Sequence, residues 1–107
     1  MKPEDVRDDV ARLAELLGEA VTLLERYGET RWASLLSASK RELLAGDAHG
    51  LLRLQNAFGG MGSLNDLLIM EANGHPVQRD DERNVNERLT ALRSEISQLA
   101  RKPSFDA

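Results

Sequence analysis

Residues 85–99 read VNERLTALRSEISQL, and their apolar side chains recur at helical spacing. Steps of four, three, four and three residues separate the members of this stripe, which are Val85, Leu89, Leu92, Ile96 and Leu99. Such spacing aligns side chains along one face of an α-helix. The acidic run at 80–82 suits the positive end of a helix dipole, and Pro103 follows the stripe. The sequence therefore predicts a last helix, with one buried face, between this acidic run and Pro103.

A second long stripe lies near the amino terminus. Its apolar members, again three and four residues apart, are Val6, Val10, Leu13, Leu17, Val21, Leu24 and Tyr27. Pro3 suits the first turn of a helix because it has no amide hydrogen, and Gly28 suits a left-handed carboxyl cap. A helix over about 3–27 is predicted.

Two shorter helices are predicted between the long ones. The first begins after Thr30, a candidate amino-terminal cap, and ends at Gly46. Asp47 can cap the next helix, which covers about 48–58.

The apolar run LLIM at 67–70 predicts a further short helix. Ser63 and Asp66 precede it in a pattern similar to a capping box. Because the run is too short for its periodicity to decide, a small hairpin closed by Asn73 and Gly74 is the alternative.

These elements predict an all-α fold, an irregular four- or five-helix bundle with a glycine-rich loop between helices 3 and 4. Residues 1–102 form a single helical domain in this prediction, and residues 103–107 form a flexible C-terminal tail. Both long stripes run close to heptad spacing, so a homodimer through either stripe is an alternative to internal packing.

The composition restricts the classes of function. The net charge is -4, and residues 1–30 hold eight acidic and four basic side chains, so the acidity belongs to the first helix. An acidic chain without a basic stripe is a poor match for nucleic acid. The absence of cysteine excludes thiolate metal sites and is consistent with a reducing compartment. With no secretory signal or membrane-spanning run in this sequence, we expect a cytoplasmic protein that binds neither membrane nor nucleic acid.

Residues 58–66 read FGGMGSLND and depart furthest from helical chemistry. Glycines at 59, 60 and 62 allow backbone conformations and close approaches that are closed to other residues. The segment lacks the lysine of a phosphate-binding loop and the flanking glycine of a nucleophile elbow. A tight reversal between two helices is therefore favoured, and a protein-contact loop is the alternative.

Three short sequence motifs, taken together, resemble those of a known family. GGMGSLNDL at 59–67, NGH at 73–75 and VNERL at 85–89 resemble a family of small bacterial domains of unknown function with a Gly-Gly-Met-Gly-Ser-x-Asn-Asp signature. The resemblance covers residues 27–100, leaving most of the first helix outside it. It implies a bacterial source but no activity, catalytic residue or cofactor.

Two hypotheses from different classes follow for the function. The first is a small protein-binding module, for example an immunity or antitoxin-like protein that neutralises a bacterial toxin by direct binding. Its candidate contacts are Asp8, Asp9, Glu15, Glu19, Gly60, Met61, Asn65 and Asp66.

The second hypothesis is a small-molecule or metal-dependent activity at the Gly59–Asp66 loop. It would use His49, Asp66 and His75, although their spacing is not that of a known metal site. A structural homo-oligomer is a further alternative. No residue is assigned a catalytic or metal-binding role, no cofactor is expected, and the enzyme class is disfavoured.

Overall fold

The computed structural model describes residues 3–58, 64 and 67–101, with side chains from residue 7 onward. Its elements in chain order are α1 (Pro3–Arg26), α2 (Thr30–Leu44), α3 (His49–Ala57), a 3-10 helix (Glu71–Asn73) and α4 (Arg79–Ala100). The described residues contain no strand, so the predicted all-α fold is confirmed. None of the α-helices in these ranges has an apolar stretch long enough to cross a membrane. The glycine-rich loop and the predicted tail lie outside the described residues.

Glycines in the left-handed conformation end α1 and α2. Gly28 has φ 81° and Gly46 has φ 78°. Residues that carry a Cβ atom rarely adopt this region of backbone conformation. After α1, the Glu29 amide donates to Leu24 O at 2.8 Å, which satisfies a carbonyl of the last turn. The Asp47 amide donates in the same way after α2. Both predicted carboxyl caps are therefore confirmed.

The predicted amino-terminal cap of α2 is wrong. Thr30 is the first residue of the helix, and the residue before it, Glu29, makes no side-chain cap. The Glu29 carboxylate is instead bonded to a histidine, as described below. The cap position of α3 is Ala48, which makes no side-chain cap, so the cap predicted at Asp47 is one residue off. The Asp47 carboxylate nevertheless accepts the His49 amide hydrogen bond of the first turn at 2.9 Å.

The core lies where α1, α2 and α4 meet. α1 packs against α2 and α4, and α3 packs against the same two helices. The buried members of the two long stripes are Leu13, Leu17 and Leu24 on α1, and Val85, Leu89, Leu92 and Ile96 on α4. The buried members of both stripes thus pack inside one molecule, as the internal-packing alternative predicts.

Residues 67–70 form neither a helix nor a strand, so the short helix predicted there is wrong. Met70 has φ -142° and ψ 141°, which is extended backbone. The physical reason is that much of the backbone of this segment is hydrogen-bonded to side chains of α4. Local periodicity along the run contains no information about those partners.

Asn86 and Arg93 of α4 supply these hydrogen bonds. The Ile69 amide donates to Asn86 Oδ1 at 2.8 Å, and Asn86 Nδ2 donates to Ile69 O at 2.9 Å. Arg93 Nη1 donates to Leu64 O and to Leu67 O, both at 2.8 Å. These bonds hold the segment against α4 while the side chains of Leu64 and Ile69 enter the core.

Removing the Asn86 amide should destabilise the protein. We expect Asn86→Ala to lower the free energy of unfolding by about 2 kcal/mol, because it leaves two backbone groups of buried Ile69 without partners. The matched control is Asn84→Ala, an exposed position of the same helix, with an expected change under about 0.5 kcal/mol. Urea denaturation measures both. Equal losses in the two variants would contradict the role given to Asn86.

Gly50 allows α2 and α3 to approach closely. A Cβ at this position would lie 2.8 Å from Ser39 O and 2.9 Å from Leu43 N, which are backbone atoms of α2. We therefore expect Gly50→Ala to lower the free energy of unfolding by about 2 kcal/mol. In the control Gly18→Ala, the nearest atom is the flexible end of Lys40, and higher helix propensity should raise stability by about 0.5–1 kcal/mol. Thermal melts should give Tm shifts of opposite sign; shifts of the same sign would contradict the prediction.

Candidate partner-binding groove

Two ion pairs join the exposed edges of α1 and α4. Arg12 Nη2 lies 3.2 Å from Glu95 Oε2, and Arg88 Nη2 lies 3.1 Å from Glu19 Oε1. A step of seven residues forward on α1 thus corresponds to seven residues backward on α4, so the helices are antiparallel. All four side chains are about half exposed, so each pair adds little stability but reports the register between the helices. We call this series the ion-pair ladder.

Arg26 and Asp81 occupy the third position of the ion-pair ladder. Each lies seven residues beyond the second pair, and the register again matches opposite charges. Within the described residues, however, neither side chain makes an ion pair. The Arg26 guanidinium lies 5.6 Å from the centre of the Tyr27 ring, in a cation–π contact. Asp81 lies in the first turn of α4, where the helix dipole favours a carboxylate.

A groove of 570 Å³ opens between α1 and α4 at this third position. Buried and half-buried apolar side chains form its floor: Leu23, Tyr27, Val85 and Leu92. Exposed polar and charged side chains form its walls: Glu19, Thr22 and Arg26 on α1, and Asp81, Asn84 and Arg88 on α4. We call this surface the α1–α4 groove.

The α1–α4 groove has the properties of a recognition surface. Leu23 and Tyr27 are half-buried, so a partner seated there would remove their remaining apolar area from water, at about 25 cal/mol per Å². Arg26 and Asp81 offer charges that form no ion pair with another residue of the described part of the chain. Tyrosine and arginine are also enriched at interface hot spots. The groove therefore suits an apolar surface that carries charges of both signs.

The acidic contact surface predicted on α1 is more neutral than its sequence indicates. Asp8, Glu15 and Glu19 are exposed, whereas Asp9 is half-buried. Arg12 lies 3.4 Å from Glu15, and Glu19 belongs to the second pair of the ion-pair ladder. Glu15 and Glu19 are thus compensated by arginines, and Glu19 is the member of this set that lines the groove.

The other predicted contacts are Gly60, Met61, Asn65 and Asp66, which lie outside the described residues. Their part in binding stays a prediction.

The histidines of the alternative hypothesis lie in separate pairs. His49 Nδ1 is 2.8 Å from Asp47 Oδ1 at the start of α3, and His75 Nε2 is 2.5 Å from Glu29 Oε1 before α2. No contact among the described residues connects the two pairs, and Asp66 lies outside them. The hydrogen bonds and ion pairs of the described residues therefore do not bring His49 and His75 together, as this hypothesis requires.

His75 joins the chain after the 3-10 helix to the junction of α1 and α2. His75 Nδ1 lies 3.0 Å from the Met70 amide nitrogen and 3.2 Å from Met70 O, and His75 Nε2 is hydrogen-bonded to Glu29 Oε1. With Nδ1 as the acceptor of the Met70 amide, Nε2 carries the ring proton and donates to Glu29. The two side chains are 9% and 22% exposed, so the contact is largely shielded from water. Gly74, with φ 85°, allows the reversal just before the histidine. The NGH motif of the sequence thus has a structural role.

Glu42, Asp47 and His49 are the described residues that come nearest to a metal site, with ligand atoms within 4.8 Å of one another. Both acidic groups already have protein partners. Arg53 Nε lies 2.8 Å from Glu42 Oε1, and Asp47 Oδ1 accepts a hydrogen bond from the His49 amide and lies 2.8 Å from its ring. Ion pairing and helix capping account for this cluster.

Sequence reasoning missed the α1–α4 groove. Its floor residues Tyr27, Val85 and Leu92 were assigned to the apolar stripes, and Asp81 was assigned to the helix start at 80–82. Leu23 and Arg26 were given no role. A signal was present, because residues 12, 19 and 26 alternate in charge and residues 95, 88 and 81 carry the opposite charge at each step. Using that signal requires knowledge that the two helices pair antiparallel in this register.

Comparison with known proteins gives one family. The model of the domain of unknown function DUF6966 matches residues 25–78, about half of the chain. No curated protein matches, and no solved structure matches. The matched segment contains Glu29 and His75, whereas most of α1 and all of α4, which form the walls of the groove, lie outside it.

Asp47 provides a pH-dependent prediction. The amide hydrogen bond from His49, and then the bond with its ring, lower the pKa of Asp47 from 3.8. Because the folded pKa is depressed, Asp47 stabilises the fold above its unfolded pKa, and this contribution is lost as pH falls through the folded pKa. We expect an NMR titration midpoint below 3.8, and a Tm deficit of Asp47→Ala that is largest near neutral pH.

Asp47→Asn is the matched control, because it keeps an acceptor for the His49 amide and does not titrate. The pH-dependent Tm difference between Asp47→Ala and the wild type should be absent between Asp47→Ala and Asp47→Asn. A midpoint at or above 3.8 would contradict the prediction.

Proposed function

Because the chain belongs to the DUF6966 family, whose description names no activity, we propose a function from the chain's own surface. The chain is a small protein-binding module that neutralises a partner protein by occupying it through the α1–α4 groove. Its role is that of an immunity or antitoxin-like protein. The proposal includes a bacterial source, a cytoplasmic location and a toxin as the partner.

Unpaired charges above an apolar floor are the main support for the proposal. The first two positions of the ion-pair ladder form pairs at 3.2 and 3.1 Å, so the same helices could pair charges at the third position. There Arg26 and Asp81 instead border the α1–α4 groove without ion-pair partners among the described residues. A bound protein would supply the missing partners and cover Leu23 and Tyr27. Such contacts are strongest when they are surrounded by apolar area that excludes water.

The side chains that line the α1–α4 groove are themselves suited to binding a protein. Recognition requires apolar contact and charge complementarity, both of which the described side chains provide. The predicted contacts in the glycine-rich loop, with Asn65 and Asp66, would extend the surface. Neutralisation would follow from steric cover of the partner, without chemistry at the groove.

The test is to block the groove by mutation and to measure whether the partner protein still co-purifies. The full chain, tagged and produced in its native cell, should co-purify with one protein in equimolar amount. The double variant Thr22→Arg and Asn84→Arg places two long side chains across the groove from exposed positions on its two walls. We expect it to lose the partner by at least about tenfold, which corresponds to about 1.4 kcal/mol.

The matched control is Ser34→Arg with Ala91→Arg, two exposed positions that do not line the groove and that add the same charge. This control should retain the partner. Retention by the blocked variant would exclude the groove as the contact surface, and the lack of an equimolar partner for the wild type would contradict the protein-binding function. A toxin gene beside this one would support the immunity role.

A further inference from the structure

At the third position of the ion-pair ladder, the α1–α4 groove presents a different charge on each wall, whereas Glu19 and Arg88 on the same walls pair with each other. Arg26 stands on the α1 wall and Asp81 on the α4 wall, at matching positions of the antiparallel register. Both side chains are exposed, and neither has an ion-pair partner among the described residues. A ligand lying along the groove would therefore meet a positive group on one side and a negative group on the other.

The groove also limits the length of its occupant. On α1 its lining runs from Glu19 to Tyr27, which corresponds to about 12 Å along the helix axis. This length equals about two turns of a second helix, enough for two or three apolar side chains at i, i+3 or i+4, and i+7. Two antiparallel helices with an apolar seam form a surface on which a third helix packs naturally.

The chemistry of the floor favours a helix over an extended peptide. An extended chain would place its amide and carbonyl groups over Leu23, Tyr27 and Val85, which offer no hydrogen bonds beyond the tyrosine hydroxyl. The Thr22 hydroxyl on the wall already donates to Gly18 O at 3.0 Å. A helix satisfies its own backbone groups and presents only side chains to the floor.

We propose that the occupant of the α1–α4 groove is an amphipathic α-helix of the partner protein, with an acidic residue flanking its apolar stripe on the Arg26 side and a basic residue on the Asp81 side. This inference rests on the proposed protein-binding function and adds the chemistry of the partner. A second copy of the chain fits less well, because its own groove is concave and would meet a concave surface.

The test exchanges the two wall charges. The double variant Arg26→Asp and Asp81→Arg keeps the net charge at -4 and alters exposed side chains that make no ion pair among the described residues. The probe is a displayed library of 16-residue helical peptides with a fixed leucine stripe and with flanking positions varied among Glu, Lys and Gln. Wild-type protein should enrich Glu on one flank and Lys on the other. The exchanged variant should enrich the reverse order and bind the wild-type peptide at least about tenfold more weakly, about the effect of losing one hot-spot contact.

Arg83→Glu with Glu87→Arg is the matched control, because it exchanges an exposed pair of α4 that does not line this groove. It should leave the flank preference unchanged, and circular dichroism should show native helix content in all variants. An unchanged preference in the Arg26 and Asp81 exchange, no enriched helical peptide, or enrichment of proline-containing extended peptides would each overturn the proposal.

Binding of the native partner to the two variants distinguishes failure of this inference from failure of the proposed function. If the groove-blocking variant loses that partner while the charge exchange retains it at full strength, the protein-binding function stands and the charge-flanked helix is wrong. If both variants retain it, the groove is not the binding surface and the charge-flanked helix is wrong. If the wild type has no equimolar partner, the protein-binding function itself fails.

Discussion

The antiparallel packing of α1 against α4 is the constraint on which the rest of the structure depends. Each helix has an apolar stripe that is stable only when it is covered, and the two stripes cover each other together with α2. The ion-pair ladder then reports the register in which this occurs, through Arg12 with Glu95 and Arg88 with Glu19. Because the pairs are half exposed, burial of the leucines provides the stability, and the charges select among possible registers.

α4 has a second role, because its polar side chains form hydrogen bonds with the backbone of Leu64 and of residues 67–70. A segment without a strand partner leaves buried amide and carbonyl groups unpaired, at about 1–3 kcal/mol for each group. Asn86 offers one acceptor and one donor to the backbone of Ile69, as a neighbouring strand would. Arg93 adds two bonds to carbonyls of the same segment. The helix that closes the core thus also determines the path of the chain before it.

The sequence correctly predicted the structural features that depend on neighbouring residues. Its predictions failed for features that are determined by contacts with distant residues. The long helices were predicted from apolar spacing, and the caps at Gly28 and Gly46 from local chemistry. The helix predicted at 67–70 is absent because Asn86, many residues later in the chain, binds its backbone. The unpaired charges of Arg26 and Asp81 have meaning only after the register between two helices is known. For the same reason, the acidic surface predicted on α1 did not include Arg88, which compensates Glu19 from α4.

The contact between Glu29 and His75 explains how the third position of the ion-pair ladder can remain open. Arg26 ends α1 three residues before Glu29, and α4 begins four residues after His75. The shielded bond between the two side chains therefore holds the end of α1 near the start of α4, without a direct pair between Arg26 and Asp81. Pro76 lies beside Gly28 at the same junction, since a Cβ added at Gly28 would lie 3.5 Å from Pro76 Cδ. Because Glu29 and His75 lie within the matched family segment and most of the groove lining lies outside it, the family segment supplies the junction, and the flanking helices supply most of the surface that we propose for recognition.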